Sequence, residues 1–141
     1  MEPDHLTLET NPSPEDLKFL EDRIIDYNLE QTGFRDGGLL ALSMRDAQGE
    51  ITAGIYGWTW GGCCEIRYLW VHEDLRGQGH GTTLLLAAER EAAARGCRQV
   101  ILDTHSFQAP EFYRKHGYEI AGVIEDYPLG HRKYYLRKSL D

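Results

Sequence analysis

The chain has 141 residues, which suits one globular domain with a hydrophobic core, and its 15 basic and 23 acidic residues give a net charge of −8 at pH 7. This charge repels phosphate backbones and anionic membrane surfaces. No apolar run is long enough to span a membrane and no signal-peptide pattern is present, so we expect no nucleic-acid or membrane partner. The three cysteines, Cys63, Cys64 and Cys97, form neither a Cys-x-x-Cys pair nor a zinc pattern, so we expect reduced thiols, no bound metal and a cytoplasmic protein.

The first predicted elements are a short strand and a helix. Residues 5–10 alternate between polar and apolar side chains, which predicts a strand. Ser13 then supplies a capping hydroxyl and Pro14 suits the first helical position, so a helix is predicted over 14–28. An antiparallel meander follows, with short turns between three strands at 39–46, 50–60 and 63–72.

The second half of the chain alternates between helices and strands. A helix is predicted over 82–96, because this segment is rich in Ala, Leu, Glu and Arg and ends at Gly96. The remaining predicted elements are a strand at 98–104, a short helix at 109–117, and a closing pair of strands at 118–125 and 131–140. The complete order, β-α-β-β-β-α-β-α-β-β, predicts one α/β domain with a mixed sheet over residues 1–141.

A glycine-rich loop, Arg-Gly-Gln-Gly-His-Gly at 76–81, lies between a predicted strand and a predicted helix. It is not a Walker phosphate loop, because no lysine follows Gly79 or Gly81, and a dinucleotide fingerprint would need glycine at Thr82. Its backbone N–H groups at a helix N-terminus nevertheless suit an anion, with Arg76 adding a cation and Thr82 a hydroxyl. An ordinary strand-to-helix turn is the alternative interpretation.

A second motif lies downstream of this loop. Arg76-x-x-Gly79-x-Gly81 is followed, after a helix and a strand, by the spaced residues Ser106, Ala109, Tyr113, Gly117 and Tyr118. Together the two motifs resemble those of the GNAT superfamily of acetyl-CoA-dependent N-acetyltransferases, and the likeness runs from about residue 38 to residue 138. The resemblance implies acetyl-CoA as co-substrate and a GNAT-like fold in which two central strands splay apart to open a slot for the thioester.

The resemblance also implies how acetyl-CoA is bound. Arg76 lies beside the pyrophosphate, and the backbone donors for it are Gly77, Gln78, Gly79, His80, Gly81 and Thr82. Leu69 and Val71, at the end of the preceding strand, pair by backbone with the pantetheine arm like an added strand. Ser106 stands where the family often has asparagine, so a contact to the pantetheine arm would be made by a shorter side chain.

Acetyl transfer from a thioester to an amine needs a base for the amine and benefits from an acid for the leaving thiolate. By resemblance Tyr113 is the acid beside the sulfur, since a phenol is protonated at neutral pH, and its alternative role is an aromatic core residue. The resemblance likewise implies that Glu65, in the central strand, is the carboxylate that deprotonates the amine directly or through water. Its alternative is an exposed strand residue paired with Arg67. His72, His105 and water stay open as other bases.

These expectations favour an N-acetyltransferase that moves an acetyl group from acetyl-CoA to a primary amine by direct attack in a ternary complex. No cysteine occupies a motif position that would suggest a covalent acyl-enzyme. The alternative function is a non-catalytic module that binds an acyl-CoA for sensing or assembly. The sequence leaves open the acceptor, which is a small-molecule or peptide amine, and the oligomeric state, for which a homodimer paired through exposed strands is one option.

Overall fold

The structure is a computed structural model that describes residues 5–141. The described residues divide into two compact units, with the boundary between Arg35 and Asp36. The first unit contains one helix, and the second contains a six-stranded sheet with the other helices. The prediction that residues 1–141 form a single domain stays a prediction.

The first helix, α1, spans Pro14–Thr32. It begins as predicted, because the Asp16 N–H donates to Oγ of Ser13 at 3.1 Å and proline occupies the first turn. It runs four residues beyond the predicted end at residue 28, since no helix breaker precedes Gly33. Gly33 ends the helix with a left-handed φ of 75°, a conformation that glycine adopts without steric cost.

The strand predicted over residues 5–10 is wrong. These residues belong to no strand, and no strand of the described chain pairs with them. The alternation that predicted the strand rests on two apolar residues, Leu6 and Leu8. A strand is stable only when a neighbour satisfies its backbone groups, and a pattern this short does not specify one.

The second unit is built on a mixed sheet with the strand order β1-β2-β3-β4-β6-β5. Its strands are β1 at Gly38–Arg45, β2 at Ile51–Trp60, β3 at Cys63–Val71, β4 at Gln99–His105, β5 at Glu119–Glu125 and β6 at Arg132–Ser139. Only β3 and β4 run parallel, and the other neighbouring pairs are antiparallel. The predicted antiparallel meander and the predicted closing pair of strands are therefore confirmed.

Three helical segments connect these strands. They are a 3-10 helix at Glu73–Leu75, α2 at His80–Ala94 and α3 at Pro110–Lys115. Helix α2 begins two residues before its predicted start, because Gly79 acts as the N-cap with a left-handed φ of 85°. Side chains of α2 join those of the sheet in the buried core, which includes Leu40, Ala53, Ile55, Cys64, Ile66, Leu84, Leu85, Ala88, Ala92, Val100, Leu102 and Leu136.

The parallel ladder between β3 and β4 is short. It joins Cys63 to Gln99, Cys64 to Val100 and Glu65 to Ile101. Beyond that last pair β3 continues to Val71, and it stays paired with β2 as far as Val71 apart from one irregularity in the register. Within residues 5–141, the second half of β3 therefore has a neighbouring strand on the β2 side alone.

Candidate active site

Backbone groups of Leu69 and Val71 line this second half of β3. The His72 N–H donates to the Thr52 carbonyl at 2.8 Å, which fixes the alternation of backbone directions along the strand. By that alternation the N–H and C=O groups of Leu69 and Val71 point away from β2, towards the side of β4. The β3–β4 ladder ends at Glu65 and does not reach them. Backbone groups in such a position can pair with an extended ligand.

The glycine loop leads from β3 into α2, and its two long polar side chains turn back on the chain. Nε of Arg76 donates to the Val71 carbonyl at 2.9 Å. Nε2 of Gln78 donates to the Asp74 carbonyl at 3.3 Å. Both side chains therefore stabilise the loop. The two terminal nitrogens of the Arg76 guanidinium still carry N–H groups that can donate to a ligand.

The N-terminus of α2 is suited to an anion. Gly77 and Gly79 have φ values of 76° and 85°, and this left-handed backbone turns the chain into the helix at His80. Within residues 5–141 no side chain caps the helix by a hydrogen bond, and its first turn holds no acidic residue. The first N–H groups of a helix lack partners inside it, and the helix dipole adds positive charge at this end. A phosphate group fits such a terminus.

Gly81 and Thr82, in the first turn of α2, contact α3. A Cβ on Gly81 would lie 3.4 Å from Cζ of Phe112, so glycine permits a close approach of the two helices. Oγ1 of Thr82 lies 3.1 Å from Nε2 of His116 in a partly buried hydrogen bond. The rings of Phe112 and His116 meet edge to face with centroids 4.9 Å apart. The first turn of α2 is thus held directly by α3.

Tyr113, the predicted acid, lies on α3 and is 8% exposed. Its hydroxyl bonds to no residue of 5–141, and no fully buried polar side-chain atom in that range lacks a partner, so the hydroxyl oxygen is not fully buried. Burial of the ring, followed by the negative charge of Asp103, raises the pKa of Tyr113 to about 12. The phenol is therefore protonated at neutral pH and can donate a proton or a hydrogen bond.

Glu65, the predicted base, lies where the β3–β4 ladder ends, opposite Ile101. Its side chain is 31% exposed, and Oε2 is 3.3 Å from Nη1 of Arg67. The ion pair named as the alternative role is therefore present. Because the pair is partly exposed, the Glu65 carboxylate is still open to an incoming group.

A β-bulge shapes β3 next to Glu65. The register between β2 and β3 shifts between Tyr56 and Gly57, which leaves Arg67 as an extra residue in β3. A Cβ on Gly57 would overlap the Glu65 carbonyl and lie 3.0 Å from Cα of Ile66, so glycine is needed opposite the bulge. The sequence analysis missed this bulge, although a glycine inside a strand is the signal that could have found it.

The two histidines left open as bases have different neutral tautomers. The Asp74 N–H donates to Nδ1 of His72 at 3.1 Å, so neutral His72 carries its proton on Nε2. Nδ1 of His105 lies 3.0 Å from the Tyr127 carbonyl oxygen, which can only accept, so neutral His105 carries its proton on Nδ1. His105 therefore has a lone pair at Nε2 that can take a proton, whereas His72 has none while its hydrogen bond lasts.

Ser106, the predicted pantetheine contact, joins the chain after β4 to the start of β6. Its N–H donates to the Arg132 carbonyl at 2.8 Å, and its Oγ accepts from the Arg132 N–H at 3.1 Å. The hydroxyl hydrogen of Ser106 is the group left for a further partner.

A buried charged network adjoins Tyr113. The Tyr118 hydroxyl donates to Oε2 of Glu89 at 2.8 Å, and Nζ of Lys138 donates to Oε1 of the same carboxylate at 2.9 Å. The rings of Tyr113 and Tyr118 meet edge to face with centroids 5.8 Å apart. The sequence analysis missed Glu89 and Lys138, because charged residues in an Ala- and Glu-rich helix and in a basic strand look like solvated ones.

The described part of the chain, residues 5–141, contains no group of three or more His, Cys, Asp or Glu side chains that could hold a metal ion. None of its helices combines the length and the apolar character needed to cross a bilayer. Its three cysteines are free thiols, and burial raises the pKa of Cys64 to about 12.

Comparison with known proteins gives the family. Residues 5–118 match the family model described as "Acetyltransferase (GNAT) family". The chain belongs to the GNAT family of acetyltransferases. It is 32% identical to an acetyltransferase of Agrobacterium fabrum over 121 aligned residues, and the alignment covers 86% of this chain and 88% of that relative. It is also 38% identical over 97 residues to the blasticidin-S acetyltransferase of Streptomyces morookaense, which covers 66% of this chain and 69% of that relative.

Solved structures carry the same fold. The crystal structure of an acetyltransferase from Bacillus cereus ATCC 14579 is 34% identical to this chain with a TM-score of 0.79, covering 95% of this chain and 98% of that one. The GNAT-like α/β fold predicted from the two motifs is therefore confirmed, with six strands in place of the predicted seven. GNAT membership also makes this chain an acetyltransferase enzyme of a family that uses acetyl-CoA, which excludes a purely non-catalytic binding module.

Proposed function

We propose that this GNAT acetyltransferase moves an acetyl group from acetyl-CoA to the primary amine of a small molecule, by direct attack in a ternary complex. One observation carries the proposal. The second half of β3, which forms no ladder with β4, leads through the 3-10 helix and the glycine loop to the N-terminus of α2. No side chain among the described residues caps that N-terminus. Coenzyme A presents an extended pantetheine arm followed by a pyrophosphate, which is the order of partners that these two features suit.

The pantetheine arm pairs with the backbone of Leu69 and Val71, as an added strand would. The Val71 carbonyl already accepts from Arg76, and its second lone pair is available to the ligand. We infer that β3 and β4 splay apart beyond Glu65 and that the thioester lies in the slot between them. The end of their ladder at Glu65 supports this inference.

The pyrophosphate is bound at the first turn of α2. Its donors are the backbone N–H groups of Gly77, Gln78, Gly79, His80, Gly81 and Thr82, with the Arg76 guanidinium beside them. The free N–H groups of the helix and its dipole favour a charged phosphate there. Ser106 donates its remaining hydroxyl hydrogen to the pantetheine arm.

Tyr113 protonates the thiolate of coenzyme A as the C–S bond of the tetrahedral intermediate breaks. The protonated phenol supports this role, as does its hydroxyl oxygen, which is not fully buried. Glu65 takes the proton of the attacking amine directly or through a water, helped by its position where the β3–β4 ladder ends. His105 is the alternative proton acceptor, because its Nε2 has a lone pair and that of His72 does not.

The acceptor is a small-molecule amine, and residues 1–141 act as one GNAT-like domain. The likeness to the blasticidin-S acetyltransferase supports a small-molecule acceptor. The family match over residues 5–118 supports one functional domain, because it runs across the boundary between the two compact units.

Acetyl-CoA binding tests the proposal. We expect calorimetry to detect binding of acetyl-CoA, and we expect the midpoint temperature of thermal unfolding to rise when acetyl-CoA is added. At a concentration of about 100 times Kd, the free energy of unfolding should increase by about 2.7 kcal/mol. ATP and NAD serve as control ligands and should have little effect. A protein that ignores acetyl-CoA at millimolar concentration but responds to ATP or NAD would contradict the proposal. Labelled acetyl-CoA without an amine should leave no label on the protein, whereas a stably labelled protein would rule out direct attack.

A further inference from the structure

The hydrogen bond between Thr82 and His116 has two possible directions, which differ in whether the Thr82 hydroxyl can donate to a ligand. If Nε2 of His116 accepts, the Thr82 hydroxyl hydrogen is donated to it, and Oγ1 has only lone pairs to offer a ligand. If Nε2–H of His116 donates to Oγ1, the hydroxyl hydrogen of Thr82 is free to donate elsewhere. A phosphate oxygen only accepts hydrogen bonds, so the second arrangement is the one that suits a phosphate.

The surroundings of His116 fix the position of its ring. The residue caps the C-terminus of α3, and its N–H donates to the Tyr113 carbonyl at 3.0 Å. Its ring lies edge to face on Phe112, the same side chain that a Cβ on Gly81 would touch. The imidazole is therefore held between α3 and the first turn of α2, with Nε2 directed at Thr82.

We propose that His116 is a positioning residue for the phosphate site. It donates from Nε2 to Oγ1 of Thr82 and so directs the Thr82 hydroxyl hydrogen towards the pyrophosphate of acetyl-CoA. This inference rests on the proposed function, since it needs coenzyme A to lie at the first turn of α2. It adds the residue that caps the C-terminus of α3, outside the glycine loop, to the determinants of cofactor affinity.

The test compares substitutions that keep packing with ones that remove the hydrogen bond. His116→Phe keeps a ring against Phe112 and loses the donor, whereas His116→Gln keeps an N–H donor at a similar distance from the backbone. Thr82→Val removes the hydroxyl and keeps the side-chain shape. Each variant and the double variant Thr82→Val/His116→Phe are titrated with coenzyme A, and KM is measured for acetyl-CoA and for S-acetylpantetheine, which lacks the pyrophosphate.

We expect His116→Phe to weaken coenzyme A binding about three- to tenfold, with unchanged KM for S-acetylpantetheine. His116→Gln should restore most of the affinity, and the double variant should bind no more weakly than Thr82→Val. Wild-type affinity in His116→Phe would overturn the inference. So would an equal loss with S-acetylpantetheine, which would mean that the pair only holds the two helices together. Wild-type protein that fails to bind coenzyme A would instead overturn the proposed function, and this inference with it.

Discussion

Replacing Tyr113 with phenylalanine removes the hydroxyl that is the predicted acid and keeps the packing of the ring. The ring is 8% exposed and would keep its edge-to-face contacts with Phe112 and Tyr118. The lost hydroxyl bonds to no described residue, so its removal leaves no buried group of residues 5–141 without a partner. We therefore expect the free energy of unfolding to change by less than about 1 kcal/mol.

The effect on turnover should be much larger. General acid catalysis contributes about 10²–10⁴-fold, and the thiolate of coenzyme A leaves tolerably without help, so we expect kcat to fall about 100-fold. That factor corresponds to about 2.7 kcal/mol of activation free energy. Burial raises the pKa of Tyr113 to about 12, and below that pH the phenol keeps its proton. The loss should therefore be the same at every pH from about 6 to about 9.

Tyr118→Phe is the matched control. The Tyr118 hydroxyl donates to buried Glu89 at 2.8 Å, so its loss should lower the free energy of unfolding by about 1.5–3 kcal/mol and leave kcat near the wild-type value. The assays are urea denaturation, calorimetric acetyl-CoA binding and steady-state kinetics with an accepted amine. Wild-type kcat in a folded Tyr113→Phe that binds acetyl-CoA would refute the role of Tyr113 and leave water or the substrate as the acid.

Three further substitutions test other parts of the account. Gly81→Val places a side chain against Phe112, 3.4 Å from the new Cβ, and should weaken acetyl-CoA binding more than tenfold by calorimetry, whereas unchanged affinity in a folded variant would remove the phosphate site from α2. Gly57→Ala forces a Cβ onto the Glu65 carbonyl and should lower the free energy of unfolding, measured by urea denaturation, by about 2 kcal/mol or more. An unchanged urea midpoint would show that the bulge adapts and that glycine is not needed there. Glu65→Gln should lower kcat about 100-fold near neutral pH, with recovery as rising pH deprotonates the amine, and a wild-type pH profile would exclude Glu65 as the base.

Local signals predicted most of the fold. The Ser13 cap, the helix-ending glycine at 96 and the turns between alternating segments predicted the order of the three α-helices and of six of the seven expected strands correctly. The strand at residues 5–10 failed because two leucines, Leu6 and Leu8, cannot specify a partner strand. Helix α2 begins at His80, two residues early, because a positive φ at Gly79 is a property of the backbone that composition does not reveal.

The candidate site was predictable where a motif defines it and not where contacts between distant residues do. The two motifs place Gly79 and Gly81 at the start of α2 and Tyr113 on the short α3. The pairing of Thr82 with His116 joins residues 34 positions apart, and no sequence spacing indicates it. Which histidine keeps a lone pair at Nε2 likewise depends on single hydrogen bonds to the backbone, which appear only in the folded chain.

The most direct test of the central claim is the release of free thiol from acetyl-CoA in the presence of a panel of amines. The panel should contain aminoglycosides, blasticidin S, polyamines, amino acids and peptide N-termini. We predict that at least one small-molecule amine gives thiol release in step with its own N-acetylation, detected by mass spectrometry, and that Tyr113→Phe reduces both. Thiol release that is independent of every amine, or tight acetyl-CoA binding with no acetylated product from any of them, would contradict the proposed transfer to a small-molecule amine.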